Sequence, residues 1–396
     1  MNMRTTLYSI LPLFCAIMAL SSCENDDTDF SKIIEEGQYI IKEIETDETP
    51  LAEANEQIPA DDNDYVENSV FTRQVNIVFD GDKALVSGDM NNAGITVDGA
   101  HIVARPSSPM AFSLSGNSEN GSFKLYSDNK QRIDLNNLTL ANPSGPAINN
   151  QCGKSLYIVL AQDSENSLTD GPNYKPSGGE DMKGTIFSEG QILFSGAGSL
   201  SVTGNYKNAI ASDDYILFRP GCKFTIVSTA GNGVKANDGI TVNGSIINII
   251  VSSQAAKGMN SEGHITVNGG RTTVITSGHS IVEGNDTSSC AGIKSDSTFT
   301  MHAGTLNIKS SGNGGKGINS GKKITIENGE INVVTLGQKI DASPKGIKSD
   351  EDIDINGGYL YSYSAYSKPL DAAGTLHVKQ GYIRYINKPK QVEIKY

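Results

Sequence analysis

The chain has 396 residues and a formal net charge of −13, from 45 acidic and 32 basic side chains, with 42 glycines and no tryptophan. The charge is unevenly spread: residues 24–68 hold 16 acidic and 2 basic side chains, whereas residues 69–396 hold 29 of each. A neutral body without a nucleic-acid motif argues against a nucleic-acid binder, and the acid surplus says nothing about the body's surface.

Taken in chain order, residues 1–22 carry one arginine, an apolar run from Leu7 to Leu20 and small residues before Cys23. That pattern predicts a secretory signal peptide rather than a membrane span. The ending Leu20-Ser21-Ser22-Cys23 resembles a bacterial lipobox, which implies a lipoprotein whose Cys23 is acylated and held at the outer membrane by several acyl chains, since a single chain anchors only marginally. Residues 23–68 are then expected to form an acidic, self-repelling, lipid-anchored tether, spanning roughly 35–40 Å if flexible. Its start, Glu24-Asn25-Asp26-Asp27, resembles the surface-export signal of lipoproteins from Bacteroides-like bacteria, which implies a protein facing the cell exterior.

Residues 69–396 read as one repeating domain. Lys257-Gly258-Met259-Asn260-Ser261 returns as Ala291-Gly292-Ile293-Lys294-Ser295, Lys316-Gly317-Ile318-Asn319-Ser320 and Lys345-Gly346-Ile347-Lys348-Ser349. Extending the phrase aligns Ile148, Ile186, Ile210, Val234, Met259, Ile293, Ile318, Ile347 and Leu370 as one anchor position in nine units, most of them about 24 residues apart. Longer intervals carry insertions at Asp163–Asp181, Gly278–Ser289 and Leu336–Ser343. Within a unit the apolar period is two, with inward candidates at Ile216, Phe218, Phe224 and Ile226, and again at Ile324, Ile326, Ile331 and Val333. Three short strands per unit and no 3.6-residue period predict an all-β, single-stranded parallel β-helix of about nine or more coils, a rod of roughly 40 Å. Phe71–Leu140 would add irregular coils at the start.

The position two after the anchor is small (Asn150, Ser188, Ser212, Ala236, Ser261, Ser295, Ser320, Ser349, Ala372) and is expected to point inward. The position before the anchor is glycine in five consecutive units, Gly233 to Gly346, which predicts a corner where φ can be positive. Cys152, Cys222 and Cys290 fall in different columns with no metal spacing and read as small buried hydrophobes, with a disulfide pair open in an oxidising compartment.

No catalytic motif stands out. His101, His264, His279, His302 and His377 occupy different columns, and HExxH and GxSxG are absent. Acids recur three after the anchor, at Glu189, Asp213, Glu262, Asp296 and Asp350. Asp213, Asp296 and Asp350 are candidate ligands for Ca²⁺, or ion-pair partners of Lys235, Lys294 and Lys348. Lys257, Lys316, Lys345 and Lys368 lie two before the anchor, and Lys235, Lys294 and Lys348 one after it, so both sets flank one corner. Such a strip suits a linear anion, or simply pairs with the acids. Tyr359, Tyr361 and Tyr363 alternate and share a face, available either for stacking on sugar rings or for closing the solenoid's end.

Residues 70–376 resemble the carbohydrate-binding, pectate-lyase-like parallel β-helix family of secreted and cell-surface bacterial proteins. The resemblance is carried by Asn136 to Ile148, by Gly196-Ala197-Gly198-Ser199-Leu200-Ser201-Val202-Thr203-Gly204-Asn205-Tyr206-Lys207 and by the Gly-Ile-Lys-Ser-Asp phrases at Gly292 and Gly346. It implies a right-handed β-helix, calcium, and binding of acidic sugars without cleavage. The family phrase has Asp before Gly-Ile, where this chain has Asn232, Lys257, Ala291, Lys316 and Lys345. The reading that follows is a monomeric surface lipoprotein that binds acidic polysaccharide without catalysis. The alternatives are a calcium-dependent polysaccharide lyase, with Lys294 beside Asp296 or Lys348 beside Asp350, and a protein-binding adhesin.

Overall fold

The computed structural model describes residues 58–387 and 390–395. Short strands stack in parallel, each pairing with its equivalent one turn later, and build a β-solenoid of about 11 turns. A coil has three strands, as in Lys316–Ser320, Ile324–Ile326 and Glu330–Thr335. The first strands of successive coils form one sheet, here called the anchor sheet, and the second and third strands belong to the other large sheet.

Register confirms the repeat residue by residue. The anchor positions pair in one unbroken column from Ile148 through Ile186, Ile210, Val234, Met259, Ile293, Ile318 and Ile347 to Leu370. The column also extends upstream to Phe123 and Ile102, so Phe71–Leu140 contributes two coils that the repeated phrase does not mark. Coils are numbered 1 to 11 from Ile102 to Leu370. At about 4.8 Å per coil the stack is roughly 48 Å long. All eight predicted inward residues are buried in one core that runs from Val75 to Ile383. Phe194 stacks on Phe218 at 5.2 Å and meets Phe224 edge-on, so like side chains pile up along the axis.

The small column is buried from Asn150 to Ser349, and its hydroxyls tie coils together. Ser295, Ser320 and Ser349 donate to Gly263 O (2.8 Å), Ser297 O (2.7 Å) and Lys322 O (2.8 Å), carbonyls of the preceding coil's turn.

The glycine column before the anchor corrects the sequence reading. Gly233, Gly258, Gly292 and Gly317 do not have positive φ; a Cβ there would strike the side chain sixteen residues on, 2.5 Å from Ile249 Cγ2, 2.2 Å from Val274 Cγ1, 2.3 Å from Ile308 Cγ2 and 2.2 Å from Val333 Cγ1. Glycine is needed because the coil's own third strand folds back against it. Positive φ belongs to another ladder at the corner between second and third strands, including Gly196, Gly221, Gly244, Gly270, Gly304, Gly329, Gly358 and Gly381.

The first predicted insertion begins later than expected, because Glu165–Asp170 is a strand of the stack and the excursion starts after it. The second holds a small hairpin, Ile281–Glu283 with Asp286–Ser288. Both ends of the stack are closed by antiparallel pairs, Gln74–Asp80 with Lys83–Gly88 and Tyr382–Asn387 with Lys390–Lys395. These pairs cap edges that would otherwise invite further strands.

Residues assigned to the tether take part in the fold. Tyr65 and Val66 are buried, and Val66 joins an apolar patch of Tyr157, Leu193 and Leu217 on the outer side of the second strands. Tyr157 donates to Asn63 O (2.5 Å), Tyr215 bonds Asp64, and Arg219 makes a two-pronged pair with Glu67 at 2.8 and 3.1 Å while lying over the Tyr65 ring. A boundary at residue 68 therefore cuts through a strap packed on the rod. Cys23 and the signal segment lie outside the described residues.

Candidate functional site

Strand alternation turns two positions of every anchor strand outward: the one after the anchor and, across the glycine kink, the one two before it. Register places the first set in a column reading Lys235, Asn260, Lys294, Asn319, Lys348, Asp371. The second set includes Lys257, Ala291, Lys316 and Lys345. Lysines predicted to flank one corner are thus brought onto a single face over coils 6 to 11, and Lys257, Lys294, Lys316 and their neighbours feel one another's charge.

The lysines of the strip differ in their partners. Lys235 pairs with Glu262 at 2.6 Å, Lys294 with Asp296 and Lys348 with Asp350. Lys345 and Lys368 share Asp371, at 2.7 and 2.6 Å. Burial works against the Asp371 charge, yet those two ammonium groups hold its carboxyl below the usual range. Lys257 and Lys316 have no carboxylate partner among the described residues. Lys257 donates to Ala255 O (2.5 Å) and Ser288 Oγ (3.2 Å), and Lys316 to Ser289 Oγ (2.5 Å). Both serines come from the hairpin insertion, which walls this side of the face. Burial first, then Lys348, Lys257, Lys294 and Lys345, push the Lys316 amine down to about 8. Burial, then Lys235, lowers that of Lys257 against an opposing pull from Cys290.

The metal candidates are not brought together. Asp213, Asp296 and Asp350 follow the anchor strands of coils 5, 8 and 10, so at least two coils, about 9.6 Å, separate any pair. Each meets a lysine, Asp213 accepting from Lys183 at 2.7 Å. No group of three His, Cys, Asp or Glu able to hold a metal stands together among the described residues. These carboxylates do not fit a shared Ca²⁺, which takes six to eight oxygens.

The tyrosines lie on a different wall, on the third strand Tyr359–Ser364. Tyr359 stacks on Tyr382 at 5.0 Å, as the alignment of the two positions predicts, and Leu360 points to the core. Tyr361 is fully buried against Val334, which removes it from any sugar-stacking surface; Tyr359 and Tyr363 are half-buried. The sequence showed the alternation but not what covers the middle ring. Cys152, Cys222 and Cys290 are buried, and the disulfide pairing left open does not form among them.

One feature escaped sequence reasoning. At the other end of the anchor sheet, residues 171–183 fold over coils 1 to 4 and enclose a cavity of about 320 Å³ lined by His101, Lys124, Asn149, Lys175, Pro176 and Met182, among others. Lys124 is tied to Glu180 at 2.8 Å and Gln151 donates to Asp181 O at 2.8 Å, which holds the lid down. The cavity continues the same column, since Lys124 and Asn149 belong to the series that leads to Lys235. Its signal was only a Pro- and Gly-containing insertion of unusual length.

Comparison with known proteins assigns the chain to a family. A family model described as carbohydrate-binding domain-containing protein matches residues 91–282, 251–339 and 313–389. The segments overlap because a repeating chain aligns with a repeat at more than one offset, and together they span most of the chain, which belongs to this carbohydrate-binding domain family. No curated protein matches the chain. Among solved structures, one described as the polysaccharide lyase-like protein from C. thermocellum, a gadolinium derivative, is similar with a TM-score of 0.49 and 22% identity over 65% of this chain and 96% of that one. A likeness at that level bears on neither ligand nor residues.

Proposed function

We propose that this protein is a surface-tethered, non-catalytic binder of acidic polysaccharide, and that the glycan lies along the anchor sheet across coils 6 to 11. The observation that carries the reading is Lys257 and Lys316, two half-buried ammonium groups without a carboxylate on a face where every other lysine of the strip has one. Like charges held close and partly desolvated are costly, and a bound carboxylate or sulfate would offset that cost. The cavity over coils 1 to 4 offers a second contact on the same sheet, at the small end of the size range of ligand pockets.

The test is affinity electrophoresis of the full chain in native gels containing polygalacturonate, a neutral glycan or neither, with calcium or chelator. The polyanion alone should retard it. Lys257, Lys316 and Lys345 all changed to Glu should abolish retardation, a loss of at least about a hundredfold in affinity, with an unchanged circular dichroism spectrum. Retained binding by the folded variant would overturn the assignment. Anchoring at Cys23 is part of the same reading, and loss of fatty-acid incorporation in Cys23→Ala checks it.

A lyase is the second reading, favoured by the Lys316 amine at about 8, which supplies free base near neutral pH. The earlier candidates Lys294 and Lys348 are engaged by Asp296 and Asp350. Unsaturated product absorbing in the ultraviolet separates lyase from binder.

A further inference from the structure

Over coils 6 to 9 the lysines of each row of the anchor face repeat with every second coil. In the column after the anchor the order is Lys235, Asn260, Lys294, Asn319, Lys348, charged and neutral amide in turn. In the column two before the anchor it is Lys257, Ala291, Lys316, Lys345, the last of them held by Asp371. Over coils 6 to 9 each row therefore repeats at about 9.6 Å, twice the coil spacing, and the rows are offset by one coil. From coil 6 to coil 9 every coil presents one lysine, alternately to the left and the right of the anchor line.

The rows are not equivalent in charge. The lysines after the anchor are each neutralised by Glu262, Asp296 or Asp350 and present an ammonium and a carboxylate together. In the other row Lys345 and Lys368 are held by Asp371, whereas Lys257 and Lys316 keep their charge, with only hydroxyl and carbonyl partners. Uncompensated positive charge thus appears once per two coils, with uncharged Ala291 between. A pyranose in an extended chain advances by close to one coil, so a glycan along the axis sets one sugar against each coil. We infer that the ligand is a linear glycan bearing one anionic group, a carboxylate or a sulfate ester, on every second sugar, with successive anions at Lys257 and Lys316 and a neutral sugar over the coil of Ala291. The ion-paired row and the amides of Asn260 and Asn319 offer donors and acceptors together, which suits hydroxyl and acetamido groups rather than a second line of anions. This rests on the reading of the face as a glycan platform and adds the spacing of charge along the glycan.

The experiment compares hyaluronan oligosaccharides, with one carboxylate per disaccharide, and oligogalacturonates of equal sugar number, with one per sugar, by calorimetry on the full chain. Hyaluronan should bind at least as tightly despite carrying half the charge, and the two should give the same salt dependence, because both meet the same two lysines. Asn260→Lys with Asn319→Lys fills the gaps in the other row. It should raise oligogalacturonate affinity about tenfold and give hyaluronan no such gain, because hyaluronan has no carboxylate at those positions and loses the two amides that suit its acetamido groups. Tighter oligogalacturonate binding by the unaltered protein, or an equal gain for both ligands in the variant, overturns the spacing inference and leaves polyanion binding standing. Failure of the unaltered protein to bind either ligand overturns the glycan-platform reading itself. The comparison on unaltered protein decides the matter even where the variant does not fold.

Discussion

Two walls of the same coil meet solvent with the same strand geometry and opposite chemistry. The second strands turn Tyr157, Leu193 and Leu217 outward in one column, and the chain's own residues 58–73 lie over them, with Val66 in the patch and Glu67 on Arg219. The anchor strands turn Lys235, Asn260, Lys294, Asn319 and Lys348 outward, and no described segment lies along that column as the strap lies along the other. An apolar column must be covered for the chain to stay soluble, and here the cover is internal. A charged, regularly spaced column is stable in water and leaves its partner to come from outside.

The largest effect should come from breaking the covered wall. Leu193→Asp would place a carboxylate in the apolar patch, close to Asp64, and should cost about 3 kcal/mol if the strap stays docked. The strap should instead release, so limited proteolysis should cut within residues 58–73 in the variant and not in the unaltered protein. The matching change on the open wall, Asn260→Leu, should leave the cleavage pattern unchanged. Equal protection of the strap in both variants would show that the two walls do not differ as described.

A smaller effect sharpens the comparison from the open side. The Lys316 amine titrates at about 8 in the folded protein, against 10.5 ordinarily, through burial and its lysine neighbours. A bound polyanion favours the ammonium form, so affinity should fall as pH rises through about 8, by up to about tenfold, and the fall should be smaller in Lys316→Met. Stability should move the other way. Between about 8 and 10.5 the unfolded chain holds a proton that the folded chain has released, so the Lys316 contribution to stability rises with pH across that window. Calorimetric titration and thermal melts at pH 7 and 9.5 check both signs.

Much of this was legible in the chain. Nine anchors, their strand period, the inward small column and the shared face of the lysines follow from spacing, because in a parallel stack equal positions in sequence become neighbours in space. Coils 1 and 2 hold the anchor column at Ile102 and Phe123, and only the register of the strands shows it. Tyr361 was read as exposed because alternation gives a direction and not what lies in that direction. The strap was read as tether because a net charge counts acids without showing that Glu67 and Asp64 meet Arg219 and Tyr215.

The amino-acid sequence by itself determined the period, and with it the fold, the register and the columns, since a repeat of about 24 residues with a two-residue alternation has few ways to bury its apolar face. Tertiary structure alone decided what each column means. Glycine before the anchor is required by the third strand packing on it, sixteen residues away. Five lysines of the same strip end with carboxylates and two with hydroxyls because an insertion happens to fold beside the latter. Contacts between residues far apart in the chain have no periodic trace, and it is those contacts that set burial, charge and the character of the face.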